Sequence, residues 1–341
     1  MRSETIVLNK ERNVTLTAYL QDVEGEFRNI PRRPAMLVLP GGGYSMCSDR
    51  EADPVAWPYL KAGFQVFILR YSVMQDAVWP NPLKDYEQAM ALIRSRQEEW
   101  KLYPDKVAVI GFSAGGHLAG CAATMADNRP NAAVLGYAVL GEDVKGCNLS
   151  APDAIADVDA KTCPCFVFAT RTDPVVPVDN STRFLTALAK HGIAFESHIY
   201  SFGPHGVSTC DSSVQSLGGF SERVPRWVDD SIGWLKEIFG DFADGVLSEP
   251  KCRARVNGDC EPRLSADCSL KHLMGSAAAM EILNPWISQV KNRAAKMGRS
   301  EEFLSLVSRM TLRDIMGLLG MEKDAADQLD QQLRGIENTA L

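Results

Sequence analysis

Short apolar runs recur along the first 240 residues, and most of them do not alternate with polar positions. Ala35–Leu39, Gln65–Arg70, Val107–Gly111, Ala133–Leu140 and Cys165–Ala169 are nearly continuous in Leu, Val, Ile, Phe and Ala. That is the pattern of strands covered on both faces, as in a parallel sheet. Thr5–Asn9, Val14–Leu20 and Phe195–Tyr200 read as three further strands. Between the runs the period turns helical. Asn81–Trp100 carries Leu83, Tyr86, Met90 and Ile93 on one stripe, and Ser181–Lys190 carries Phe184, Leu185 and Leu188 before Gly192 stops it. Strand–helix alternation predicts an α/β fold with a mostly parallel sheet and right-handed crossovers. The first two strands have no helix between them and are expected to pair as an antiparallel hairpin at one edge.

The pattern changes near Gly245. Residues 247–262 are polar, with Pro and Gly, and read as a linker. Beyond them the apolar spacing is helical: Trp286 with Val290, Leu304 with Val307, and Leu329 with Leu333 and Ile336. Thr311-Leu-Arg-Asp314 has the form of a capping box. The expected organisation is a domain over 1–244, a linker over 245–263 and a small all-α domain over 264–341, with no internal repeat. The helical part would pack on the larger domain or pair two subunits into a homo-oligomer, or Trp286 would help hold a carbohydrate.

Composition narrows the class. A chain of 341 residues with 45% hydrophobic and 23% charged residues is that of a globular protein with one large core and an appendage. The net charge of -7 is uneven: from Gly245 onward 13 basic residues face 13 acidic ones, so the acidic excess lies upstream. No basic patch offers the field that nucleic acid or anionic lipid requires. The first ten residues lack a signal-peptide pattern, and no apolar run approaches the roughly 18 residues of a membrane span. Nine scattered cysteines, an odd number, fit reduced thiols and a cytoplasmic setting. Neither Cys163-Pro-Cys165 nor the set Cys252, Cys260 and Cys268 has a zinc spacing, so no metal and no cofactor is expected.

Candidate chemistry starts at Gly111-Phe112-Ser113-Ala114-Gly115, a Gly-x-Ser-x-Gly between an apolar strand and a small-residue helix. Such a turn forces unfavourable backbone angles and close strand–helix approach, and it exposes the serine oxygen over the helix N-terminus. Pro40-Gly41-Gly42-Gly43-Tyr44 follows another buried strand. Its bare backbone N–H groups, Gly42 or Gly43 together with Ala114, are the expected oxyanion donors. A phosphate loop would need Lys-Ser/Thr after the glycines, and Tyr44-Ser45 stands there instead. Of five histidines, His205 alone lies on a loop just past a strand and downstream of the serine. His117, one helical turn from Ser113, is read as a packing group, or with Tyr44 as a substrate contact. The acid orienting His205 should follow the strand that ends at Ala169. Asp173 fits, with Asp143 and Asp179 as rivals, the latter better placed to cap a helix.

These motifs together, Pro40-Gly-Gly-Gly-Tyr44, Gly111-Phe-Ser-Ala-Gly-Gly-His-Leu-Ala119, Thr172-Asp-Pro-Val-Val-Pro-Val-Asp-Asn-Ser181 and Gly203-Pro-His-Gly206, resemble the bacterial acetyl esterase and acetylxylan-esterase-like branch of α/β-hydrolases. That branch is itself similar to feruloyl esterases and hormone-sensitive lipases. The resemblance covers roughly residues 30–240. Lipase-like groups usually have His before the glycines; Pro40 in its place favours the acetyl esterase branch. The resemblance implies an α/β-hydrolase fold, a Ser113–Asp173–His205 triad and hydrolysis of short acyl esters, often acetyl groups on plant-polysaccharide sugars. Only about 24 residues separate Ala133–Leu140 from Cys165, too few for a large lid, so an open site is expected. Competing readings are a feruloyl or general carboxylesterase, a peptidase, an aryl formamidase, or a hydrolase fold kept as a non-catalytic binding module.

Overall fold

The computed structural model describes the chain except residues 24, 28–29, 215–218, 244–245, 297, 299–302, 322 and 340–341. Among the described residues the chain forms two compact units, Met1–Ala254 and Arg255–Leu341. The division falls inside the segment read as a linker. Residues 247–254 return to the first unit, where Ala254 accepts from the Ala194 N–H at 3.0 Å.

The first unit is built on β1 (Arg2–Asn9), β2 (Val14–Leu20), β3 (Arg33–Leu39), β4 (Gln65–Arg70), β5 (Leu102–Phe112), β6 (Ala132–Gly136), β7 (Cys165–Thr170) and β8 (Phe195–Tyr200). They join in one sheet in the order β1-β2-β4-β3-β5-β6-β7-β8. β1 and β2 pair antiparallel at one edge, β2 also runs antiparallel to β4, and all pairs from β4 to β8 are parallel. The central strands β3, β6 and β7 are buried at every position, whereas the edge strand β8 alternates. Coverage on both faces explains the continuous apolar runs. Alternate residues of one strand serve two cores. Ala35, Leu37 and Leu39 face one, and Met36 and Val38 the other.

The first core is covered by α2 (Asn81–Ser95), α4 (Ser113–Thr124) and α5 (Asp179–Lys190), the second by α1 (Asp53–Lys61) and α6 (Trp227–Phe239). The helical run expected over Asn81–Trp100 is broken: α2 ends at Ser95, and a four-residue α3 (Gln97–Trp100) closes at Lys101 with φ +52°. The strand expected over Ala133–Leu140 is also shorter. Tyr137 turns into the left-handed region at φ +35°, so β6 stops at Gly136 and Ala138–Leu140 pack as buried loop. Asp179 opens α5 without capping it, and its carboxylate pairs instead with Arg183 at 2.6 Å.

After a two-residue hairpin, β9 (Phe242–Ala243) with β10 (Val246–Leu247), the second unit carries α7 (Leu270–Met274), α8 (Ala277–Lys296), α9 (Phe303–Leu306), α10 (Leu312–Leu318) and α11 (Lys323–Leu333). Contrary to the sequence reading, it contains a repeat. Ser269-Leu-Lys-His-Leu-Met-Gly275 and Thr311-Leu-Arg-Asp-Ile-Met-Gly317 open α7 and α10 in the same way. Ser269 and Thr311 accept from the N–H three residues on, and Leu270, Leu273, Leu312 and Ile315 are buried. The two caps meet across a bridge, with the Leu270 N–H donating to Met310 and the Leu312 N–H to Cys268. Seven aligned residues, three of them identical, followed by dissimilar helices leave little periodic signal. Trp286 lies in this core at 5% exposure, so a carbohydrate-holding aromatic there is excluded. No described helix is long and apolar enough to cross a membrane.

Candidate active site

β5 runs straight into α4, and the junction is Ser113 at φ +51°. Such a backbone costs a non-glycine residue on the order of 1–2 kcal/mol, which the surrounding packing must offset. The packing is tight. A Cβ on Gly115 would sit 2.2 Å from the Leu39 carbonyl oxygen and 2.3 Å from that of Pro40. Only glycine lets α4 lie against the end of β3 and present the Ser113 side chain above the sheet.

The structure brings Ser113, His205 and Asp173 together. Ser113 Oγ is 2.9 Å from His205 Nε2, and His205 Nδ1 is 2.7 Å from Asp173 Oδ2. Asp173 lies on the turn after β7 with its side chain 1% exposed. Its Oδ1 accepts from the Val175 and Val176 N–H groups at 2.8 and 2.9 Å, which leaves Oδ2 for the ring. A carboxylate only accepts, so Nδ1 carries the proton and Nε2 is the acceptor for the serine hydroxyl. The imidazole is further held by the edge of Tyr137, 5.1 Å between ring centroids. Of the rival acids, Asp143 is engaged by Asn180 and Arg183, and Asp179 by Arg183. Neither meets a histidine.

The loop after β3 supplies the facing wall. The Gly42 carbonyl accepts from the N–H groups of Ser45 and Met46 in a tight turn, with Gly42 at φ +126°. The N–H groups of Gly42 and Gly43, which line the cleft, have no acceptor among the described residues. Ala114 is buried in the first turn of α4, where backbone N–H groups lack intrahelical acceptors. The cleft, about 490 Å³, is bordered by these glycines, Met46, Arg50, Glu51, Ser113, Val175 and His205. The 137–164 segment beside it holds a 3-10 turn, Glu142–Gly146, and no α-helix.

Tyr44 and His117, offered as substrate contacts, are both buried and neither borders the cleft. Tyr44 Oη lies 2.7 Å from His117 Nδ1, and His117 Nε2 lies 2.9 Å from the Pro152 carbonyl. The carbonyl must accept, so Nε2 holds the proton and Nδ1 accepts from the tyrosine. Burial pushes the His117 pKa down to about 4, keeping the ring neutral. The pair ties the glycine loop to α4.

Sequence reasoning missed a second network. Glu51, at the end of a 3-10 turn, is buried with both oxygens engaged: Oε2 accepts from the Gly41 N–H at 2.8 Å and Oε1 from the Tyr137 hydroxyl at 2.6 Å. Tyr137 Oη in turn accepts from the Ser208 N–H at 3.0 Å. Glycine loop, β6 end and histidine loop are thus joined through one carboxylate. Burial raises the Glu51 pKa, while its two donors and the nearby His205 act against that rise. No local pattern marks Glu51, because its partners lie 10 and 86 positions away.

A mostly parallel sheet flanked by helices, with a cleft-lining serine at a strand–helix elbow backed by an acid and a histidine in chain order, defines an α/β-hydrolase. Comparison with known proteins agrees. The BD-FAE family model matches residues 26–136, which hold the glycine loop and Ser113 but stop short of Asp173 and His205. An α/β hydrolase enzyme from a Medee basin deep-sea metagenome library is 43% identical, with a TM-score of 0.66 over 70% of this chain and 98% of that one. An acetyl ester-xyloside bifunctional hydrolase from Caldicellulosiruptor lactoaceticus is 31% identical, with a TM-score of 0.58 over 66% and 88%. The acetylxylan esterase of Xylanibacter ruminicola is 28% identical over 235 residues, 60% of this chain and 49% of that protein. The protein belongs to the α/β-hydrolase family. It spans about half the length or less of the curated relatives it matches, between 34% and 55%.

Proposed function

We propose that the protein is a serine carboxylesterase that removes short acyl groups, acetyl foremost, from sugars derived from plant polysaccharides. The observation that carries this is the unbroken chain Ser113 Oγ–His205 Nε2 and His205 Nδ1–Asp173 Oδ2 at 2.9 and 2.7 Å, opening on the cleft. His205 takes the Ser113 proton as the oxygen attacks the ester carbonyl. The N–H groups of Gly42 or Gly43 and Ala114 hold the oxyanion. The tetrahedral intermediate collapses, and the alcohol leaves with the proton from the imidazolium. Water, deprotonated by His205, then releases the acid and restores Ser113. Asp173 fixes the tautomer and stabilises the imidazolium, and the cycle closes without any further group.

The acyl and alcohol assignments draw on the open cleft and on relatives named as acting on acetyl esters of xylan or xylosides. Ser113→Ala should fold as the parent does and lose hydrolysis of an aryl acetate by several orders of magnitude. A fully active variant ends the triad reading. Across a nitrophenyl ester series, rates should peak at acetate or propionate; a maximum at octanoate or beyond would overturn the short-acyl assignment. Strong preference for an aryl ferulate over acetate would instead favour the feruloyl esterase reading.

A further inference from the structure

The charged side chains around the cleft are not equally engaged. Asp49 is bonded to Arg70 at 2.6 Å. Glu51 turns both oxygens inward to Gly41 and Tyr137, and Asp173 is saturated by His205 and two backbone N–H groups. Arg50 also borders the cleft, and it is exposed. Its guanidinium makes no hydrogen bond or ion pair among the described residues, although the chain as a whole carries a net charge of -7. The residue is nonetheless well anchored at its backbone. The Ser208 hydroxyl donates to the Arg50 carbonyl at 2.5 Å, and the next residue, Glu51, is clamped from both sides.

The direction of the side chain matters. Arg50 Nη2 lies 3.8 Å from the point a Cβ on Gly206 would occupy. Gly206 follows His205, so the guanidinium lies against the loop that carries the imidazole. In the proposed cycle His205 protonates the departing alcohol, so the alcohol half of the ester is taken to lie on this side of the cleft. A planar fork of N–H donors matches a carboxylate bidentately, which a hydroxyl does not exploit. We propose that Arg50 is a specificity-determining residue that binds a carboxylate on the alcohol half of the ester, so that acylated hexuronic acids are preferred to acylated neutral sugars. The inference rests on the esterase reading above and names its substrate class.

The test compares a mono-O-acetylated methyl glycoside of a hexuronic acid with its uronamide, which has the same shape and no charge. The parent should show a higher kcat/KM for the acid. Arg50→Gln should cut the acid-to-amide ratio about fivefold, the scale of one rim ion pair, and the parent's ratio should shrink as salt rises. A ratio at or below one in the parent, or one that Arg50→Gln leaves unchanged, overturns the proposal. A second arm measures calorimetric binding of the unacetylated hexuronate glycoside to Ser113→Ala, with and without Arg50→Gln. If no ester is cleaved yet binding needs Arg50, the esterase reading fails and the anion site stands. If esters are cleaved and neither ratio nor binding depends on Arg50, the anion site fails and the esterase stands.

Discussion

His117 and Tyr137 show how buried polar side chains brace the loops around this site. The His117 imidazole is neutral in the fold, its pKa lowered from 6.5 to about 4 by burial. The unfolded chain therefore binds that proton more readily. Stability from this group is whole above pH 6.5 and is lost as the pH falls towards 4, about 3 kcal/mol in full. Glu51, with a raised pKa, acts with the opposite sign. His117→Gln should therefore flatten the fall in urea midpoint between pH 7 and 4.5; an unaltered slope would show that another group sets it. Tyr137→Phe leaves Glu51 Oε1 and the Ser208 N–H unpaired in the interior. The expected loss is about 1–3 kcal/mol per orphaned group, together with a lower kcat on aryl acetate, because the glycine loop and His205 lose their common tie. Unchanged stability and unchanged kcat would remove the network from any positioning role.

The elements are legible where their signal is local. The five strands β3 to β7 emerge from apolar runs, and α4 from a small-residue stretch after the serine. The strand ending at Gly136 was not legible, because Ala138–Leu140 are as apolar as a strand, and the turn at Tyr137 sets Ala138 against Gly116 of α4 instead of extending the sheet. The elbow depends on a close approach of α4 to the end of β3 at Gly115. Gly115→Ala should destabilise by about 1–3 kcal/mol or more, since the colliding atoms are backbone carbonyls rather than side chains that can swing away. Chemical denaturation measures it, and a loss below a few tenths of a kcal/mol would mean that the strand–helix contact relaxes easily.

Each unit of the whole molecule has its own buried cluster, and the second contains Leu270, Leu283, Val290 and Leu312 among others. A chain ending at Ala254 is therefore expected to unfold cooperatively and to keep its rate on aryl acetate, since every residue of the proposed cycle lies upstream. Scanning calorimetry and esterase assays of that fragment check both; a fragment that fails to fold would overturn the expectation that the first unit is stable by itself.

Read alone, the sequence determines the parallel-sheet architecture, the serine elbow, the glycine loop, and His205 and Asp173 in hydrolase order. These follow from patterns of a few neighbouring residues: burial on both faces, a forced turn, a loop position after a strand. Only the tertiary structure decides that Asp173, not Asp143, meets the imidazole, because both follow strands and differ in which neighbours engage them. It alone turns Tyr44 and His117 inward as a buried brace, reveals Glu51 as the tie between three loops, and leaves the Arg50 guanidinium at the cleft without a hydrogen bond or ion pair among the described residues. Those roles arise from contacts between residues tens of positions apart, and no periodicity along a chain encodes them.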